Sequence, residues 1–251
     1  MIQRTLWIGT SWKMNKTRAE ARAFAAALAA APIIADEVLR PFVIPAFTAI
    51  AEVAAILAGS RVRVGAQTMH WADAGATLVE LGHSERRTHF GETDETVALK
   101  SAAAVKHGLT PLICIGETRA EFDAGRTEEV LARQVTAALS RIEQQHRSAE
   151  ILLAYEPVWS IGDGGTPAEP AFVDRQHALI KARTQAALGR ALPVLYGGSV
   201  NPGNCRELAG QANVDGLFIG RSAWAVEGFV GILNAVRGQD QAGPTRRNAP
   251  R

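Results

Sequence analysis

The chain has only two cysteines, Cys114 and Cys205, among its 251 residues. Their separation matches neither a metal knuckle nor a redox pair, which sets aside a disulfide framework and a cysteine-held metal. Free thiols fit a cytoplasmic protein. Charge of one sign is equally scarce: the net charge is +2, with no strong basic or acidic block before the short tail. Nothing therefore points to nucleic acid or to a membrane surface. No apolar run approaches the length of a membrane span, and the N-terminus carries no signal-peptide pattern. A dinucleotide fingerprint, a Ser-His-Asp set and a metal-ligand cluster are missing as well.

What is present is a chain 47% hydrophobic and 21% charged, enough for one large core. Short apolar runs alternate with longer helical patterns. The runs are 6–9, 42–44, 62–67, 78–82, 112–115, 151–156, 193–197 and 214–220. Helical patterns cover 17–30, 48–58, 93–107, 128–145, 172–188, 204–209 and 225–236. The first has Thr17 as N-cap and Glu20 three residues on, a capping box. Eight strands with helical crossovers predict an α/β protein, a closed parallel (β/α)8 barrel. One domain is expected over 1–237, with 238–251 a polar, frayed tail. One connection is unusual. Only ten residues, Thr68 to Thr77, join the third strand to the fourth. A parallel crossover usually needs a dozen or more with a helix, so a bare crossover is expected here.

In such barrels the working residues lie at the C-terminal strand ends. The sixth strand, Ile151-Leu152-Leu153-Ala154, runs into Tyr155 and Glu156, then into a Pro-started, Gly-rich loop. That pattern suits a general base, Glu156, under a lid formed by 157–168. Strand one ends near Lys13, a fixed cation, and strand four at His83, a proton shuttle or hydrogen-bond donor. Glycine turns at Gly197-Gly198-Ser199 and at Gly220 bare backbone N–H groups of the kind that hold phosphate. Taken singly, Lys13 also reads as a surface lysine and His83 as a structural histidine. Together they fit proton abstraction beside a carbonyl in a small sugar phosphate.

The motifs Ser11-Trp12-Lys13-Met14-Asn15, Gly82-His83-Ser84-Glu85-Arg86-Arg87, Tyr155 to Gly162 and Tyr196-Gly197-Gly198-Ser199-Val200 stand in this order. They resemble the triosephosphate isomerase family over nearly the whole chain. The resemblance implies a TIM barrel and a cofactor-free isomerase working through an enediolate. Glu156 would be the base, His83 the electrophile and Lys13 the stabiliser of the oxyanion. Gly162, Ser199, Gly220 and Arg221 match phosphate-gripping positions, and Glu85 and Cys114 match supporting ones.

The chain departs from the family pattern in four places. Ser11 stands where the family has Asn beside the lysine. The lid tip reads Gly162-Asp163-Gly164-Gly165-Thr166-Pro167. Arg221 replaces the second glycine of the strand-eight turn, and Trp224 follows. These three changes resemble the branch of the family that acts on L-erythrulose 1-phosphate. A shorter Ser11 would leave room for that substrate's extra hydroxymethyl group. The fourth departure is the short crossover, where the family carries a loop that docks into a second subunit. About fifteen residues are absent by comparison with an ordinary crossover, so the family homodimer is expected to be weak here. The primary expectation is an isomerase of L-erythrulose 1-phosphate and D-erythrulose 4-phosphate. Triose phosphate isomerisation is the first alternative and a catalytically impaired phosphate-binding barrel the second. A Schiff-base aldolase using Lys13 leaves Glu156 without a role.

Overall fold

Eight parallel strands close on themselves in chain order. In a computed structural model that describes residues 4–68, 75–162 and 164–238, they are β1 (Leu6–Ser11), β2 (Leu39–Ile44), β3 (Arg63–Gln67) and β4 (Leu78–Leu81). The second half comprises β5 (Thr110–Ile115), β6 (Leu152–Tyr155), β7 (Val194–Tyr196) and β8 (Gly216–Ile219). The ring is sealed by β1 against β8, with Trp7 opposite Gly216 and Thr10 opposite Ile219.

The strands are apolar on both faces because both faces are buried. On β5, Leu112 and Cys114 point into the barrel, where they join Trp7, Phe42, Ile44, Leu78, Leu152, Ala154, Leu195 and Phe218. Their neighbours Ile113 and Ile115 face the helical shell instead. The interior is a packed core with no bore through it. A Cβ on Gly9 would lie 2.0 Å from Phe42 Cζ, so glycine there makes the space the phenyl ring fills.

The outer layer holds α1 (Arg18–Ala29), α2 (Ile50–Leu57), α3 (Ser84–Phe90), α4 (Asp94–Lys106) and α5 (Arg119–Asp123). It continues with α6 (Thr127–Leu139), α7 (Pro170–Leu188), α8 (Cys205–Gly210) and α9 (Val226–Arg237). The capping box at α1 forms as the sequence predicts. The Thr17 hydroxyl accepts from the Glu20 amide, and Glu20 Oε2 accepts from the Thr17 amide at 2.8 Å. A cap of this kind contributes about 1 kcal/mol. Gly189 ends α7 in the left-handed conformation, φ 78°.

Three readings of the sequence need correction. The helix expected over 128–145 stops at Leu139, and a separate 3₁₀ turn covers Gln144–His146. Ser140 is the cause: its amide and its hydroxyl both bond Ala137 O, which tightens the last turn and ends it. Strands β2 and β5 begin at Leu39 and Thr110, before their apolar runs; Pro41 and Pro111, which donate no N–H and so read as strand boundaries, lie inside them. The short helices α3 and α5, each directly after a strand end, were not foreseen. The crossover between β3 and β4 is ten residues long, and residues 69–74 of it lie outside the described residues, as do 239–251 of the expected tail. The expectations of a bare crossover and of a frayed tail fall there. No helix among the described residues is long and apolar enough to cross a membrane.

Candidate active site

The C-terminal ends of the strands surround a cavity of about 490 Å³. Ser11, Lys13, His83, Glu85, Glu156, Gly162, Ser199, Gly220 and Arg221 all line it. Cys114, the remaining residue singled out in the sequence, lies beneath it in the barrel interior.

Glu156 follows β6 directly, and its amide donates to Ile115 O at 2.7 Å, which fixes its height on the rim. The residue is 4% exposed, and its Oε2 has no hydrogen-bond partner. A Cβ on Gly197 would come within 2.7 Å of Glu156 Cγ, so that glycine leaves the carboxylate its place. Burial pushes the Glu156 carboxyl above its usual range. His83 beside it opposes the shift, the charge of Glu80 adds to it, and the charge of Lys13 and a hydrogen bond with the Cys114 side chain oppose it. The Cys114 thiol is itself pushed well up, first by burial and then by the charges of Glu156 and Glu80, so it stays protonated.

His83 is the N-cap of α3, and its Nδ1 accepts from the Glu85 amide at 3.2 Å. A neutral ring that accepts at Nδ1 carries its proton on Nε2. Nε2 lies 3.7 Å from Glu156 Oε1, across the cavity floor. The missed helix α3 is therefore what orients the histidine. Lys13 takes up φ 53°, a left-handed backbone that costs a non-glycine residue on the order of 1 kcal/mol. Strain of that kind persists only where the surroundings enforce it. Its ammonium bonds Glu85 Oε1. Partial burial pushes the Glu85 carboxyl up, and the bond from Lys13 more than reverses this, leaving it below its usual value.

The loop expected from the sequence to form a lid begins with a 3₁₀ turn over Val158–Ser160. It is pinned on both sides. Trp159 Nε1 donates to Glu117 Oε1 at 2.7 Å, and the Ser160 hydroxyl lies 3.1 Å from the Tyr196 hydroxyl. The Ser199 amide donates to Ser160 Oγ at 3.2 Å, and Arg221 Nη2 donates to Gly162 O at 2.9 Å. The Arg221 side chain, at a position matched above to phosphate gripping, thus bonds the loop after β6. Asp163 at the tip lies outside the described residues.

Three residues were not singled out from the sequence. Glu117 is a buried carboxylate that anchors the lid. Glu80 and Gln67 form a hydrogen-bonded set with Ser11 below the cavity. Glu80 had a readable signal: it is one carboxylate within the otherwise apolar strand Leu78-Val79-Glu80-Leu81. Glu117 had none beyond its place after β5. Among the described residues no group of three His, Cys, Asp or Glu side chains is arranged to hold a metal ion.

A sequence model of the family described as triosephosphate isomerase matches residues 6–236. An L-erythrulose-1-phosphate isomerase of Rhizobium rhizogenes is 57% identical, over 90% of this chain and 93% of its own length. One of Mesorhizobium japonicum is also 57% identical, over 90% and 95%. One of Rhizobium meliloti is 56% identical, over 94% and 98%.

Proposed function

The chain belongs to the triosephosphate isomerase family, and on that footing we propose that it interconverts L-erythrulose 1-phosphate and D-erythrulose 4-phosphate. The observation that carries the reading is the unpartnered oxygen of Glu156, buried in one cavity with His83 and Lys13. The relatives named above carry this activity in their names and cover nearly the whole chain.

The chemistry follows from the arrangement. Glu156 takes the proton from C3 of L-erythrulose 1-phosphate, beside the C2 carbonyl. His83 Nε2–H polarises that carbonyl and passes protons between the two oxygens of the enediol. Lys13 stabilises the oxyanion as it forms, an electrostatic contribution that is often the largest in such sites. The proton returns to C2, and the carbonyl now stands at C3, which is C2 of the product. Backbone N–H groups at Gly162, Gly220 and Arg221 grip the phosphate, joined by that of Ser199 when it exchanges Ser160 Oγ for the ligand. The pinned lid keeps water from the enediolate, which would otherwise expel phosphate. Every step uses groups of the chain itself.

The same proton transfer serves triose phosphates, which lack only the terminal hydroxymethyl group. Small Ser11 beside Lys13 favours the longer substrate. The test is a side-by-side assay of D-glyceraldehyde 3-phosphate and L-erythrulose 1-phosphate on purified protein, with Glu156→Gln as the blank. Preferential turnover of the tetrulose phosphate is expected; preferential turnover of the triose phosphate would overturn the substrate assignment. Loss of both, with phosphate analogues still bound, would favour a non-catalytic binder.

We also read the family homodimer as weakened, in a protein working in the cytoplasm. Met14 after β1, Phe47 after β2 and Phe90 in α3 are 67%, 55% and 69% exposed. Sedimentation velocity at micromolar concentration should show mainly monomer, and a tight dimer would contradict this.

A further inference from the structure

The peptide groups on either side of Gly82, the residue before His83, are both held by side chains. The Gly82 N–H donates to Glu92 Oε2 at 3.0 Å, and Gly82 O accepts from Arg87 Nε at 2.7 Å. Gly82 takes up φ 74°, a left-handed turn that favours glycine, and a Cβ there would lie 3.0 Å from Cys114 O. Each of the two side chains is anchored in turn. Arg87 Nη1 donates to Asp94 Oδ1 at 2.7 Å. Glu92 Oε1 accepts from the Lys100 ammonium, which also donates to Thr68 Oγ1 at 3.0 Å. The Glu92 side chain is 2% exposed and, unlike His83, does not line the cavity.

Glu92 lies just past the C-terminal end of α3, whose N-cap is His83. By reaching back to Gly82 it closes a loop around that helix and fixes the direction in which the chain leaves β4. His83 depends on that direction. Its Nδ1 meets the Glu85 amide at 3.2 Å only from the N-cap, and its Nε2 stands 3.7 Å from Glu156 Oε1. A tilt of the backbone at Gly82 would change both distances. A buried carboxylate is costly, and an ion pair with Lys100 occupies only one of its oxygens. The other is directed at the backbone that carries the histidine.

We propose that Glu92 is a positioning residue that sets the place and tautomer of the His83 ring by holding the Gly82 amide. Lys100 and Thr68 tie this hold to the start of the crossover between β3 and β4. The inference rests on the role given to His83 above and deepens it.

Two readouts separate positioning from plain stability. Glu92→Leu should lower kcat for L-erythrulose 1-phosphate about 10- to 100-fold per folded molecule, with KM within about twofold, as a small misplacement of a reacting group does. In a His83→Gln background the same change should cost nothing further, because Glu92 acts through His83. The second readout is the ¹⁵N NMR signal of the His83 ring, assigned by its loss in His83→Gln and measured without substrate. It should show a fixed Nε2–H tautomer in the wild-type chain and averaged tautomers in Glu92→Leu. Glu92→Gln, which keeps an acceptor for the Gly82 N–H, should hold kcat within about threefold of wild type. If Glu92→Leu does not fold, the pair Glu92→Leu and Lys100→Leu, which leaves neither charge without the other, takes its place in both readouts. An unchanged kcat, unchanged ring signals or additive losses with His83→Gln would overturn the inference and leave the substrate reading standing. A wild-type chain without turnover of L-erythrulose 1-phosphate would overturn the substrate reading, and the ring signals would still decide the role of Glu92.

Discussion

Two carboxylates sit at neighbouring strand ends, both buried, and the protein treats them in opposite ways. Glu117, after β5, is fully buried and receives the Tyr155 hydroxyl on both oxygens and the Trp159 indole N–H. Glu156, after β6, is 4% exposed and keeps one oxygen without a donor. Burial raises the carboxyl of each. In Glu117 the hydrogen bonds from Trp159 and Tyr155 oppose the rise and occupy the lone pairs. In Glu156 the lone pair is left to a proton. A satisfied carboxylate holds structure, and an unsatisfied one beside a cavity is available for chemistry.

The comparison is broken most directly at Glu156. Glu156→Gln should lower kcat about 100- to 10,000-fold, the range for a general base, with the far-ultraviolet circular dichroism unchanged. Retention of most of the activity would remove the contrast. Next in size is Lys13→Met, which should cost about 100- to 1,000-fold in kcat, as loss of an oxyanion-stabilising charge does. An effect confined to KM would reassign Lys13 to binding alone.

The other side of the contrast is stability. Glu117→Leu leaves the Tyr155 hydroxyl and the Trp159 N–H without their acceptor and should destabilise the fold by about 1–3 kcal/mol in urea titrations. Its effect on kcat should be smaller than that of Glu156→Gln. A variant that matched wild type in stability but lost its rate would mean that Glu117, too, is chemical.

The pH behaviour sharpens the point. With its carboxyl raised, Glu156 must lose its proton before it acts as base. The acid limb of kcat/KM should therefore fall at a pH above the ordinary carboxylate range. The sign for stability is the reverse. A carboxyl raised in the folded state contributes stability at low pH and loses it as pH rises through the folded value. Glu156→Gln should accordingly be at least as stable as wild type near neutrality, measured by thermal unfolding. A less stable variant would place a structural role on Glu156.

The smallest expected effect concerns the lid. Arg221→Gly removes the bond to Gly162 O and should raise KM several-fold, roughly the value of one hydrogen bond at an exposed site. An unchanged KM would show that the remaining contacts of Trp159 and Ser160 suffice to hold the lid.

Much of this was legible in the sequence, for a physical reason. Strands buried on both faces write themselves as apolar runs, and a residue such as Glu156 or His83 stands out where such a run stops. The Thr17–Glu20 cap is local chemistry and forms as read. What escaped depends on contacts between distant segments. Nothing around Glu117 shows that Tyr155 and Trp159, 38 and 42 residues on, will bond to it. The triangle of Ser11, Gln67 and Glu80 joins three strands. The bond from Arg221 to Gly162 O likewise joins segments far apart in the sequence. The end of α6 escaped because a single serine, not a glycine or proline, closes it.

The most direct test of the central claim is to run L-erythrulose 1-phosphate to product in D₂O and follow the product by NMR. A base that carries a proton between adjacent carbons predicts deuterium at the CHOH carbon next to the phosphate-bearing carbon, and none with Glu156→Gln. Incorporation that persists in that variant, or neither turnover nor exchange with the wild-type chain, would contradict the account.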